Sequence, residues 1–193
     1  MALSINVAPA VEPVSTADAK LHLRVDHAAE DALINTLIAA ARQSAELFTG
    51  RAFITTTFTL TLDSFPSVII VPRPPLQSVT HVKYYDLDGI QQEFSDTLYD
   101  VDIETEPGRI VPAYNETWPS IRNRVNAVEV RFIAGYGAAA VNVPEAIVSA
   151  ILLHVGHLYE HREDVIIGTI SSQMPSGVHS LLWPYRSLAE TSN

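Results

Sequence analysis

His154, His157 and His161 stand at i, i+3 and i+7 in the run His-Val-Gly-His-Leu-Tyr-Glu-His, so on a helix they share one face. Two imidazoles on one face can hold a zinc ion. A catalytic site needs a third ligand and a glutamate spaced as in HExxH. No glutamate separates His154 from His157, and Glu160 lies about 100° around the helix from His161. The expectation is a polar or interface face without metal.

Asp86, Asp88 and Gly89 resemble the opening of a calcium loop, but Ile90 occupies the fifth position and no glutamate stands at the twelfth. A tight turn is the better reading. Asp100, Asp102, Glu104 and Glu106 alternate along a strand and its exit, so they share one face. General acid–base work wants two carboxylates in unlike environments across a cleft, so a solvated sheet face is expected. No nucleophile elbow, P-loop or dinucleotide fingerprint occurs, and Gly135-x-Gly137 lacks a helix N-terminus at the right distance. With no cysteine there is no thiol nucleophile, thiolate zinc site or disulfide. The residues propose no catalytic group, no cofactor and no metal.

Charge narrows the partners. Against 12 Lys and Arg stand 22 Asp and Glu in 193 residues, a formal charge of −10. That sign opposes a grip on phosphate backbones or an anionic membrane surface. Arg109, Arg122, Arg124 and Arg131 are too scattered to make a nucleic-acid groove. The first residues carry no Lys or Arg ahead of their apolar positions, unlike a secretory signal. The most apolar stretch, 146–159, is too short to span a bilayer. A soluble, acidic, intracellular protein is expected.

The elements follow from period and punctuation. Residues 1–14 read as an extended arm, because Pro9 and Pro13 forbid regular helix. Ser15, with Asp18 three residues on, caps a short helix. Asp26 looks like the cap of a second, whose apolar positions Leu33, Ile34, Leu37, Ile38, Ala41, Ala45 and Phe48 form an amphipathic stripe ending at Gly50. From residue 52 the period changes to two. Strands are predicted at 52–62, 68–71, 79–85, 91–94, 99–103, 109–111 and 127–133. Asp86–Gly89 is hairpin chemistry and Pro72–Pro75 a rigid crossover without ladder donors. Pro144 opens another long helix running to about Asp164. A small, polar, mobile stretch at 168–177 then precedes the apolar segment 178–186.

The fold class expected is α+β: a small helical bundle of N- and C-terminal helices with an inserted, mainly antiparallel β subdomain. The helical core is 15–50 with 143–165, the insertion 51–142, and a flexible loop and docking segment 166–193. Trp183 and Tyr185 near the chain end are candidate interface anchors.

Several stretches carry a family resemblance. They are the run from Pro13 to His27, Glu30-Asp31, the run Ile38 to Glu46, Phe48-Thr-Gly-Arg51, Phe65-Pro66, Pro72 to Val79, Tyr85-Asp-Leu-Asp-Gly89, Phe132-Ile-Ala-Gly-Tyr-Gly137 and Leu158 to Glu163. In that order, from about residue 13 to 188, the chain resembles the head–tail connector (adaptor) proteins of long-tailed double-stranded-DNA phages, prophages and gene transfer agents.

The resemblance implies a non-enzymatic subunit at the virion neck, assembled in the host cytoplasm into a homo-oligomeric ring of about twelve copies. Such a ring lies below the portal protein, extends the DNA channel without binding DNA specifically, and docks a neck, stopper or tail-completion protein. It also implies that the C-terminal segment meets the portal, with Leu181, Leu182, Trp183, Tyr185 and Arg186 as anchors after a loop that orders on binding. Removing residues 178–193 is then expected to abolish docking while the helical core stays folded. A charge of −10 on every copy adds an expectation from electrostatics: the subunit stays monomeric, or assembles weakly, until the portal templates the ring. The competing reading is a carbohydrate- or receptor-binding β module of a phage tail or head decoration. It suits the strands and aromatics but not the long helices at both ends.

Overall fold

A period of 3.6 residues gives way to a period of two after Gly50, and the fold divides close by. The computed structural model describes residues 1–161 and 174–187. Among these, one compact unit takes Ala10–Ile54 and Gly137–Arg186; the other takes Met1–Pro9, Thr55–Tyr136 and Ser187. Helices from both sequence ends thus share one unit, and the strands between them, with a strand from the N-terminus, form another, which is the mixed α+β class expected.

The helical unit begins with α1 (Thr16–Leu23). The Ser15 hydroxyl oxygen accepts from the Asp18 backbone N–H at 3.1 Å, filling one of the orphan donors of the first turn. Arg24, at φ 58°, ends the helix in the left-handed region. The second helix, α2 (Asp31–Thr49), starts later than Asp26: Glu30 is its cap residue, and no side chain caps it. The Glu30 carboxylate instead receives the Tyr159 hydroxyl, while Lys20 and Asp31 pair at 2.8 Å beside it. Gly50, at φ 69°, closes α2 where a Cβ would be strained.

Ile34, Ile38, Ala41 and Ala45 are the buried stripe of α2, at spacings of four and three. In α3 (Glu145–Glu160) the buried set is Ile147, Ala150, Ile151, His154 and Val155. The alanines let these two helices approach closely, and they pack on each other. Pro144 immediately precedes α3 as expected, and His161 caps its end; an extension toward Asp164 lies outside the described residues. The apolar segment near the C-terminus is a helix, α4 (Ser176–Leu182), followed by a 3-10 turn over Trp183–Tyr185. It lies on α3 and buries Val178 and Leu182. No helix among the described residues is long and apolar enough to cross a membrane.

Among the described residues the β unit holds eight strands. They are β1 (Ala2–Val7), β2 (Thr56–Leu62), β3 (Ile69–Val71), β4 (Leu76–Tyr85), β5 (Gln91–Phe94), β6 (Tyr99–Asp102), β7 (Gly108–Pro112) and β8 (Val128–Ala134). Five form an antiparallel sheet in the order β1-β2-β8-β4-β5, and three form another in the order β3-β7-β6. Residues 2–7 are therefore not part of a bare arm but an edge strand.

Register sorts the larger sheet into two faces. Phe58 sits opposite Phe132, Leu60 opposite Val130, and Val130 in turn opposite Val82, making one apolar face. On the other, Thr59 faces Arg131 and Lys83 faces Glu129. On the small sheet Ile69, Val71 and Ile110 are fully buried, whereas Ile70 is 44% exposed. Leu76 approaches the backbone of the small sheet so closely that a Cβ on Gly108 would lie 2.5 Å from Leu76 Cδ2.

Candidate docking surface

The acidic and basic features that could have carried chemistry have local structural partners, and the histidines do not share one environment. The face of three histidines splits. His154 is buried in the helical unit, its Nδ1 without a hydrogen-bond partner; burial, with help from the neighbouring His157, holds its pKa below the ordinary imidazole value. The His157 and His161 rings lie 4.6 Å apart, tilted by 30°, near the end of α3. Among the described residues no three His, Asp or Glu side chains gather closely enough to hold a metal.

Asp86 is a turn residue. Its Oδ1 accepts from the Asp88 and Ile90 backbone N–H groups at 3.1 and 2.9 Å, and its Oδ2 from Gln92 at 2.8 Å. Those donors, Gln92 foremost, hold its carboxyl below the usual range. Asp102 does the same for the β6–β7 turn. It accepts from the Glu104 and Thr105 backbone, the Thr105 hydroxyl and Arg109, and its pKa is strongly depressed, by Arg109 above all. Two carboxylates saturated with turn donors are poor acid–base groups and poor cation ligands.

The basic residues are dispersed in the same way. Arg109 serves Asp102, Arg131 reaches Glu129 at 3.6 Å, and Arg122 binds the Asp88 carbonyl at 3.5 Å. Arg124 lies over the Tyr85 ring at 3.9 Å. No basic groove forms among them. The exposed-aromatic argument for a sugar platform weakens too: the Trp118 ring lies flat on Phe65 at 4.7 Å and 5°, with Phe94 at 5.5 Å.

The C-terminal segment differs from all of these, because it presents aromatic and cationic groups outward. Phe48 near the end of α2, His179 on α4 and Trp183 form a ladder with centroid separations of 4.8 and 5.2 Å. The Arg186 guanidinium closes it, 4.9 Å from the Trp183 ring and 5.4 Å from the Phe48 ring. Each cation–π contact at such a site is worth about 0.5–1 kcal/mol, enough to hold a side chain in place. The Arg51 Nε donates to the Tyr185 carbonyl at 2.5 Å, tying the final turn to the end of α2. Trp183 nonetheless remains 55% exposed. Leu47, next to Phe48 in sequence, is 70% exposed.

Of the five residues expected as anchors, four lie where a partner could reach them. Trp183 is exposed, and Leu181, Tyr185 and Arg186 are half-buried. Leu182 is fully buried with Val178 in the helical unit. For the same reason, removing residues 178–193 strips core side chains from α3, contrary to the expectation of an intact core; point substitutions are the cleaner probe. The loop expected to order on binding, 168–177, lies outside the described residues up to Gln173. Phe48, Arg51 and His179 complete the surface unforeseen, because Phe48 carried the core-stripe spacing and nothing in sequence pairs position 48 with position 179.

The chain as a whole is similar to known proteins. Residues 15–106 match the family model described as phage gp6-like head-tail connector protein. A chain of the neck of an empty gene transfer agent particle, computed with C6 symmetry, is 27% identical, with a TM-score of 0.81 over 97% of this chain and 96% of that one. A chain from the virion of a native gene transfer agent particle is 26% identical, with a TM-score of 0.82 over the same shares. A third, from the neck of a native particle computed with C12 symmetry, is 25% identical at a TM-score of 0.75, again over 97% and 96%. No curated protein matches the chain in sequence.

Proposed function

We propose that this chain, whose residues 15–106 match the phage gp6-like head-tail connector family model and whose fold is that of gene transfer agent neck chains, is a structural connector of the virion neck that forms a ring below the portal protein. The ring carries about twelve copies, a closed assembly of heterologous contacts, and a neck of a similar chain was computed with C12 symmetry. It extends the DNA channel and offers its other face to a neck, stopper or tail-completion protein. Assembly takes place in the host cytoplasm.

Charge supports the channel. DNA must slide past without being held, and copies at −10 each repel phosphate instead of pairing with it. The arginines tied to local carboxylates, carbonyls and rings leave that net repulsion intact.

The observation that carries portal docking is the ladder of Phe48, His179, Trp183 and Arg186. An indole left 55% exposed, yet fixed by stacking, is the form that binding anchors take, because little rotamer freedom remains to be lost on association. Leu181, Trp183, Tyr185 and Arg186 form the portal-facing surface, while Leu182 holds α4 to the unit. Co-sedimentation of Trp183→Ala and Arg186→Ala with the cognate portal ring tests this. Binding by both variants equal to the parent would remove the surface from the interface.

A further inference from the structure

The two edges of the five-stranded sheet are unlike. β5 is short, carries Glu93 paired with Lys83 at 3.8 Å, and is flanked by Asp86, Asp88 and Asp96. Charges and brevity are how proteins guard an edge against strand addition. β1 carries neither guard. From Met1 to Val11 there is no Asp, Glu, Lys or Arg, and no proline before Pro9. Among the described residues β2 is its one strand partner, so its other row of backbone donors and acceptors faces outward.

Register makes this edge apolar as well. Leu3 stands opposite Leu60 and Ile5 opposite Phe58, so both continue the apolar face of the sheet. Phe58 and Leu60 are buried, but Ile5 is 62% exposed. The shift between Ile5 and Val7 breaks regular pairing at Asn6, leaving Ala2–Ile5 as a straight template. Short of that bulge, an apolar edge without a charged side chain is unusual on a subunit that stays alone.

We propose that this edge is the side-to-side contact of the ring: an extended segment of a neighbouring copy lies along Ala2–Ile5, continues the sheet and covers Ile5. The inference rests on the ring reading above. Charge selects a second copy as the occupant. Two chains at −10 each repel, so they meet most readily where one brings no acidic side chain, and residues 1–11 hold none. Pairing β1 with β1 would give a two-fold dimer, so in a ring the neighbour contributes a different segment.

Two variants test this on rings assembled on the cognate portal. Ile5→Lys places a gatekeeper charge at an exposed position, so the monomer keeps its thermal midpoint while ring occupancy falls about tenfold or more. Ile5 replaced by p-benzoylphenylalanine, photolysed on the portal, should yield covalent products between copies of this chain. Full occupancy by a folded Ile5→Lys, cross-links to the portal alone, or none at all would overturn the proposal while leaving the ring reading standing. A parent chain that forms no ring on the portal removes the ring reading, and this contact with it.

Discussion

Arg42 donates through Nη1 to Glu46 Oε2 at 2.6 Å, one turn along α2, and its Nε reaches Glu12 Oε2 at the same distance. The other Glu46 oxygen accepts the Phe53 backbone N–H at 2.9 Å. One buried guanidinium therefore ties the chain entering the helical unit at residue 12, the helix itself, and the chain about to leave it at residue 53.

Removing that guanidinium leaves two carboxylates facing each other with little water. We expect Arg42→Ala to lose about 2–3 kcal/mol of stability, below the 3–5 kcal/mol of a fully buried pair because Glu12 is partly solvated. Arg42→Lys should recover less than half, since an ammonium cannot fork to both acids. Urea denaturation of the three proteins checks this, and unchanged midpoints would show the network to be ornamental.

Gly108 and Leu76 set a second test. With Leu76 Cδ2 only 2.5 Å from where a Cβ would stand, Gly108→Ala overpacks the site at a cost of about 1–3 kcal/mol. Leu76→Ala also destabilises, by opening a cavity, but in the double variant the new methyl enters that space. A double-mutant cycle should show coupling of about 0.5 kcal/mol or more in the favourable sense. Strict additivity would contradict the close approach.

His154 gives the helical unit a pH dependence of defined sign. Its folded pKa lies below the ordinary value, so the unfolded chain binds the proton more readily and the stabilisation is complete above about pH 6.5. It is lost as pH falls from there through the folded pKa. The parent should therefore lose thermal stability between pH 7.5 and 5.5, and His154→Leu should lose less. Parallel midpoint curves for the two proteins would remove His154 as the cause.

Salt separates a repelling channel subunit from a nucleic-acid binder. Screening weakens the mutual repulsion of copies at −10 each, so self-association should rise between 50 and 500 mM NaCl, both chosen to span Debye lengths from roughly 14 to 4 Å. Duplex DNA should stay unbound at both. Sedimentation velocity reads the first and a mobility-shift titration the second; DNA binding that fades with salt would contradict the proposed channel wall.

What the sequence made legible is what periodicity and caps report. The Ser15 cap, the stripe of α2 closing at Gly50, the Pro144 entry to α3 and the Asp86–Gly89 turn are all local, and all are present. Asp26 failed as a cap because Glu30 and Asp31 are taken by Tyr159 and Lys20, partners distant in sequence. Leu3, Ile5 and Val7 alternate with Ser4 and Asn6 as β1 requires, but Pro9 and Pro13 end that period after three apolar positions, too short a run to separate a strand from an arm. Leu182 could not be told from Leu181 without knowing which side of α4 meets α3. Nor does any local rule bring Phe48 and Arg51 to the C-terminal turn.

Binding at the proposed portal surface should be concentrated in few side chains. Trp183→Ala is expected to weaken portal association by about 2 kcal/mol, roughly thirty-fold, with Arg186→Ala smaller. A Ser187→Ala control should bind as the parent does. Losses shared evenly by all three would point to a general effect on folding.

The ring itself is tested most directly by mixing the parent chain with its cognate portal ring, sedimenting, and imaging the pellet by negative stain. We expect a second ring stacked coaxially on the portal, with about twelve copies by band stoichiometry. Portal rings that sediment bare at every salt concentration, with this chain left in the supernatant, would contradict the connector role proposed here.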